Sequence, residues 1–149
     1  MPLDEYNKKR NFGKTSEPKG EEKSSQHGNI FVIQKHQARN LHYDLRIELD
    51  GVLKSWAVPK EPPQKEGIKR LAVQTEDHPM DYAGFEGEIV KGEYGAGTVE
   101  IWDSGTYDLE EKKEDKLLFN LHGKKMKGNF ALIQLKNDPK NWLFFKRKE

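Results

Sequence analysis

The chain reads as a mostly β protein: a closed or nearly closed antiparallel β-barrel with short helical segments and a flexible N-terminal arm. Short apolar runs alternate with turn residues from Ile30 to Lys146, the signature of many brief strands. Between Lys69 and Lys146 no apolar stripe is sustained at helical spacing. The 13 glycines and 7 prolines punctuate these runs. Strands of this kind close on themselves, because closure removes the unpaired edges that an open sheet exposes.

Residues 1–29 are rich in Lys, Glu, Ser and Gly and poor in apolar positions, which predicts a flexible arm ahead of a single β-barrel domain over 30–149. Expected strands follow at Ile30 to Lys35, Leu41 to Leu49, Val52 to Val58, Leu71 to Thr75 and Gly87 to Ile89. Five more are expected at Gly97 to Ile101, Gly105 to Asp108, Lys116 to Leu121, Phe130 to Leu135 and Trp142 to Lys146. Asp50-Gly51 marks a hairpin turn. Pro59, Pro62 and Pro63 end one strand and open a loop that runs to about Gly67, and Glu110 to Lys116 is read as an added turn.

At 149 residues the chain suits one domain, long enough to bury roughly two-thirds of its unfolded surface. It has no cysteine, so disulfides and thiolate ligands are excluded, and any metal is held by nitrogen and oxygen. No stretch is long enough to span a bilayer, and Met1 to Lys23 is polar and charged, which predicts a cytoplasmic protein with no membrane contact. The formal net charge of +1 gives no global sign of a nucleic-acid binder. Lys8-Lys9-Arg10, Lys124-Lys125-Met126-Lys127 and Lys146-Arg147-Lys148 are local basic clusters, either solvated surface or contacts for a few phosphates.

The most informative stretch runs from His36 to Arg46. On a strand over 41–49, Leu41, Tyr43, Leu45, Ile47 and Leu49 share one face while His42, Asp44, Arg46 and Glu48 share the other. The short reach back to His36 lets a second imidazole join, giving two histidines and one aspartate as a ligand set for a divalent metal at one end of the barrel. Manganese, zinc or iron suit such donors. Arg46, one step along, is placed to receive a metal-bound phosphate or carboxylate. A His-x-Asp pair alone also occurs as a hydrogen-bonded pair at a barrel rim; His36 and Arg46 beside it favour the metal and anion reading.

A second cluster is Thr75-Glu76-Asp77-His78-Pro79-Met80-Asp81-Tyr82. Extended backbone brings Glu76 and His78 to one side, and a helical turn after Pro79 returns Tyr82 beneath them, residues suited to proton transfer or to stabilising a developing oxyanion. Loop capping by His78 and core packing by Tyr82 is the structural alternative. In a third cluster, the glycines at 87, 92, 95, 97 and 105 are read as barrel corners, since no Gly-Lys-Ser/Thr ending makes a phosphate loop.

These clusters, in this order, with Ser55-Trp56-Ala57-Val58-Pro59-Lys60, Trp102-Asp103-Ser104-Gly105, Gly123 to Leu132 and Trp142 to Lys146, resemble the 3′-phosphoesterase module of bacterial DNA ligase D, in a free-standing member. The resemblance extends from Tyr6 to Lys146. It implies a manganese-dependent β-barrel enzyme, with zinc or cobalt as other metals. Such enzymes remove a 3′-terminal ribonucleoside from a DNA primer strand and then the 3′-phosphate, leaving a 3′-hydroxyl. It implies that His36, His42 and Asp44 hold the metal, that Arg46, His78, Tyr82 and Glu76 act at the scissile phosphate, and that Lys60 and Arg70 support its rim. Arg10 and Glu17 match arm residues that assist ribonucleoside removal, and Asn11 departs from the family's aspartate. DNA primer-template 3′ ends, a separate DNA ligase or polymerase, and a monomeric state are the implied partners and assembly.

Chemistry read from the residues agrees: a cation on two neutral imidazoles and one carboxylate stays net positive, and Arg46 adds a second charge against a phosphoryl-transfer transition state. His78 is either an acid for the leaving group or a hydrogen-bond donor. Two other readings remain: a 2-His-1-carboxylate iron oxygenase built on His42, Asp44 and His78 or His122, and a non-catalytic module binding nucleic-acid ends.

Overall fold

A computed structural model describes residues 3–20 and 29–148. The elements are helix α1 (Asp4–Lys8), strands β1 (Ile30–Gln37), β2 (Leu41–Leu49), β3 (Val52–Val58) and β4 (Lys69–Gln74), and a 3-10 turn (Met80–Gly84). Strands β5 (Gly87–Ile89), β6 (Gly97–Lys113), β7 (Lys116–His122), β8 (Lys127–Gln134) and β9 (Asn141–Lys146) complete the chain. The order β1-β2-β3-β4-β9-β8-β7-β6 is antiparallel throughout, and β6 pairs back onto β1, closing a barrel; β5 stands outside the ring on the other edge of β6.

The alternation of β2 decides what lies on each side of the wall. Tyr43, Leu45 and Ile47 point inward with Phe31, Ile33, Trp56 and Val58, joined by Phe119, Phe130 and Phe144 from the far side. The interior is therefore packed side chain rather than pore. Outward, a second apolar cluster of Tyr6, Leu53, Met80, Tyr82, Phe85, Ile89 and Val99 covers part of the wall. The Asp50-Gly51 hairpin forms as expected, with φ of 55° and 82° at its two turn residues, the left-handed pair of a type I′ turn.

Two sequence expectations are corrected. Gly97 to Ile101 and Gly105 to Asp108 are parts of one strand, β6, rather than two. Ile33 faces Asp103 while Gln34 faces Ile101, so Trp102 is an extra residue in the strand, a β-bulge that bends β6 without ending it. The added turn expected over Glu110 to Lys116 is mostly strand: pairing with β7 carries β6 to Lys113, and only Glu114 and Asp115 turn. Tertiary pairing there overrides a polar run that has no strand propensity of its own. Within the arm, residues 3–20 lie against the outer wall: Leu3 and Tyr6 are buried, and the Tyr6 hydroxyl donates to the carbonyl of Pro18. Residues 21–28 lie outside the described residues.

Candidate active site

The predicted ligand set sits on the outward face of the barrel wall, where β1 ends and β2 begins, because β1 and β2 turn their apolar residues inward. His36 on β1 is directly opposite His42 on β2, and Asp44 follows two residues on along the same face. His36 Nδ1 lies 3.5 Å and His42 Nε2 3.2 Å from Asp44 Oδ2. The ligand atoms of the three lie within 4.8 Å of one another, and this is the one such group among the described residues.

The far side of each imidazole sets its tautomer. His36 Nε2 is 2.6 Å from the Gly95 carbonyl and His42 Nδ1 is 3.1 Å from the Asn40 carbonyl. A carbonyl only accepts, so each of these nitrogens carries the hydrogen, and the lone pair of the other nitrogen faces Asp44. Two lone pairs and a carboxylate oxygen repel unless a cation or a proton sits among them. Burial opposes charge on both Asp44 and His42. The Arg46 guanidinium and the two imidazoles nevertheless hold the Asp44 carboxyl well below the usual carboxylate range, and Asp44 pulls His42 above its ordinary value. A nitrogen, nitrogen, oxygen set with backbone carbonyls behind the rings fits a divalent transition ion.

Arg46 stands beside this set, with Nη2 3.4 Å from Asp44 Oδ2. Its Nε donates to Gln34 Oε1 at 2.6 Å, and Gln34 in turn donates to the carbonyls of Tyr82 and Phe85 at 2.8 and 3.0 Å. The guanidinium lies 4.8 Å from the centre of the Tyr82 ring. Its Nη1 is buried without a hydrogen-bond partner among the described residues. An unanswered cationic donor in a dry wall is costly, and an incoming anion would satisfy it.

His78 faces the same space. Its backbone bridges to Leu53 in both directions, at 2.7 and 2.9 Å, which fixes the segment after β4 against β3. Nδ1 lies 2.9 Å from the Glu76 carbonyl, so that nitrogen carries the hydrogen and Nε2 presents a lone pair 3.4 Å from Arg10 Nη2. Burial, then the charges of Arg46 and Arg10, push the imidazole well below its ordinary value and keep it neutral. The 3-10 turn expected after Pro79 forms and delivers Tyr82, whose hydroxyl donates to Glu17 Oε2 at 2.6 Å. Burial raises that phenol and keeps its proton in place.

The arm completes the enclosure. Arg10 donates to Glu17 Oε2 at 3.1 Å and to Glu76 Oε1 at 2.9 Å, while Lys9 Nζ reaches Glu76 Oε2 at 2.7 Å. A cavity of about 270 Å³ results, lined by His36, His42, Asp44, Arg46, Glu76, His78, Tyr82, Arg10 and Glu17. Lys60 and Arg70 do not reach it. Lys60 is exposed where the strand ends, and Arg70 pairs in register with the core residue Phe144 and donates to the Glu61 carbonyl at 2.8 Å. Asn11 accepts from the Gly13 amide at 3.1 Å in an exposed turn and does not line the cavity. His122 pairs with Asp108 at 2.7 Å and His78 lies outside the group, so of the three histidines it is His36 that joins His42 and Asp44.

Sequence reasoning missed Gln34, Lys9 and the Tyr94-Gly95 pair. Gln34 was within reach, since it lies two residues before His36 on the same outward face. Gly95 has φ of 76°, a backbone state that turns its carbonyl onto His36, and a Cβ at Gly97, where φ is 141°, would collide with the Gln37 carbonyl. Lys9 stood out only as part of the Lys8-Lys9-Arg10 basic cluster, with no sign of its pairing to Glu76.

Fold and site together define a β-barrel protein whose outer wall carries a His-His-Asp group that could hold a cation, flanked by an arginine with one unanswered nitrogen, an arrangement suited to a phosphate ester. Residues 34–134 match the family model described as the DNA ligase D 3′-phosphoesterase domain. The chain is 50% identical over 151 residues to the multifunctional non-homologous end joining DNA repair protein LigD of Mycobacterium tuberculosis, covering 98% of this chain and 20% of that protein. Multifunctional non-homologous end joining protein LigD of Pseudomonas aeruginosa is 46% identical over 157 residues, covering 99% of this chain and 19% of that protein. The same-named protein of Mycolicibacterium smegmatis is 46% identical over 159 residues, covering 99% and 21%. The chain belongs to the DNA ligase D 3′-phosphoesterase domain family, and spans about a fifth of the length of these relatives.

Proposed function

We propose that the chain is a metal-dependent phosphoesterase that heals DNA 3′ ends, removing a 3′-terminal ribonucleoside and then the 3′-phosphate so that a 3′-hydroxyl remains for repair. The observation that carries this reading is the unpartnered Nη1 of Arg46 beside the His36, His42 and Asp44 cluster. Manganese is the proposed ion, with zinc and cobalt able to occupy the same donors. Bound there, the ion supplies a Lewis acid for a phosphate oxygen and lowers the pKa of water.

The remaining work belongs to side chains. Arg46 binds and orients the phosphoryl oxygens, and its charge grows in value as negative charge spreads in the transition state. Neutral His78 takes a proton at Nε2 from the attacking water or a phosphate hydroxyl and returns it to the leaving oxygen. Tyr82, its proton retained, donates to the same anion once Glu17 yields it. Glu76 holds Arg10 and, through its carbonyl, the His78 tautomer. Residues 3–20 act as a strap that excludes water and places Arg10 and Glu17 over the terminal nucleoside, distinct from the barrel domain over 30–149; Lys60 and Arg70, away from the cavity, act on more distant phosphates. The partners are primer-template 3′ ends and a ligase or polymerase that uses the healed terminus, and the protein works as a cytoplasmic monomer.

The test incubates the chain with manganese and primer-templates ending in a ribonucleotide or in a 3′-phosphate, and resolves products by length and end chemistry. Two sequential products are expected from the first and one from the second, all abolished by chelation and by Asp44→Ala. Turnover that survives either treatment overturns the metal assignment, and no turnover of either substrate overturns the activity.

A further inference from the structure

A second groove, of about 440 Å³, adjoins the cavity and shares Thr75, Glu76 and Tyr94 with it. Its far rim is formed by Val73 and Lys140. Tyr94 stands where the two spaces meet, 49% exposed although it is a large aromatic residue. Its position is fixed rather than loose: it precedes Gly95, whose carbonyl is bonded to His36, in a loop closed by the Glu93 to Val90 and Ala96 to Glu93 backbone bonds at 3.1 Å each. Lys9 Nζ and the Arg10 guanidinium lie 4.7 and 5.4 Å from the ring centre. Those cations are already matched by Glu5, Glu17 and Glu76, whereas the exposed Lys140 ammonium forms no ion pair with a described residue.

A polynucleotide whose 3′ end occupies the cavity must continue away from it. The strap, with Tyr6, Arg10 and Glu17, stands on one side and the 3-10 turn on another, and the groove past Tyr94, whose rim Glu5 and Lys9 of the strap also line, adjoins the cavity as a path for the strand. Resting on the 3′-end reading above, we infer that this groove is the subsite for the nucleotide next to the terminal one. Its base stacks on the Tyr94 ring, and the phosphate on its 5′ side faces Lys140. Aromatic faces accept any base, so the subsite recognises a polymer without reading its sequence. The chain therefore prefers a 3′ end that belongs to an oligonucleotide over a free nucleoside 3′-phosphate.

The test compares a 3′-phosphorylated oligodeoxynucleotide with a deoxynucleoside 3′-monophosphate, using the full chain with manganese, for wild type, Tyr94→Ala, Tyr94→Trp and Lys140→Gln. In Tyr94→Ala the ratio of kcat/KM for the oligonucleotide to that for the mononucleotide falls on the order of tenfold, chiefly through KM, as loss of one stacked base predicts. Tyr94→Trp keeps the ratio, and Lys140→Gln lowers it less as salt rises. In parallel, 2-aminopurine at the penultimate position is quenched on binding to wild type and not to Tyr94→Ala. Turnover with an unchanged ratio and unchanged quenching in Tyr94→Ala removes the subsite while leaving the phosphoesterase reading intact. Tyr94-dependent quenching without turnover of either ester removes the activity and keeps the subsite.

Discussion

Arg46 and Asp44 are neighbours on one face of β2, and their charges have different fates: the carboxylate faces two imidazoles and the guanidinium, while the guanidinium keeps one nitrogen unanswered. Arg46→Gln is expected to lower kcat about 10³-fold or more, the scale of a transition-state arginine, while manganese still raises the melting temperature. Removing one of the proposed ligands should abolish both the turnover and the effect of the ion on melting. An ion that binds only the folded chain stabilises it by about 2.7 kcal/mol at a hundredfold excess over Kd, so manganese should raise the wild-type Tm by several degrees and leave that of His36→Ala unmoved. Thermal melts with and without the ion decide both points.

His78 gives a pH signature. Its folded pKa is depressed below 6.5, so above that pH neither folded nor unfolded chain holds the proton. Below it the unfolded chain binds a proton that the folded chain refuses, and stability falls with pH by up to about 1.4 kcal/mol per unit until the folded pKa is reached. His42, raised by Asp44, acts with opposite sign: its stabilisation is full below the unfolded pKa and is lost as pH rises through the folded one. The difference in stability between wild type and His78→Asn therefore isolates the first effect, and should shrink as pH falls from 7 to 5 in urea titrations. A constant difference contradicts it.

Among the elements, β2 was the most legible, since strict alternation of apolar and charged residues from Leu41 to Leu49 fixes both its period and its two faces. The 3-10 turn was readable from Pro79, and the hairpin from Asp50-Gly51. Strand β6 was not: the bulge at Trp102 and the following Ser104-Gly105 imitate a turn, and only pairing with β1 and β7 reveals continuity. The arm carried a polar composition that hides its docking: Arg10 and Glu17 stood out, but their contacts with Glu76, His78 and Tyr82, more than sixty residues away, left no local trace. The Arg10, Glu17 and Glu76 group is buried, so Arg10→Ala leaves Glu17 without a cation while Glu76 keeps Lys9, and should cost about 3 kcal/mol, read as a lower urea midpoint together with slower ribonucleoside removal. In the β5–β6 loop, Gly97→Ala pushes against the Gln37 carbonyl and moves the Gly95 carbonyl from His36; manganese affinity should drop about 10–100-fold, the usual effect of losing a group that orients a ligand, in a calorimetric titration.

At the scale of the whole molecule, two apolar clusters share one wall and divide the labour. The interior cluster holds the barrel closed through contacts such as Phe119 with Phe130 and Phe144, at ring separations of 6.4 Å each. The outer cluster positions Tyr82, Tyr6 and the loop that ends on Gly95. Phe119→Ala should therefore lower stability by about 3–5 kcal/mol while leaving kcat near wild type at temperatures where the variant is folded. The outward placement of the site was legible, because the apolar face of β2, with Tyr43, Leu45 and Ile47, had to become the core side and leave His42, Asp44 and Arg46 on the other; the arm that covers it was not.

That shared wall makes β2 a strand that permits only one alignment. A shift of a single position against its neighbours would drive a carboxylate, a guanidinium and an imidazole into the aromatic interior and expose Tyr43, Leu45 and Ile47 to water. Misaligned chains thus lose their interior and the proposed site at once, so proofreading of the alignment is built into the same nine residues that carry both.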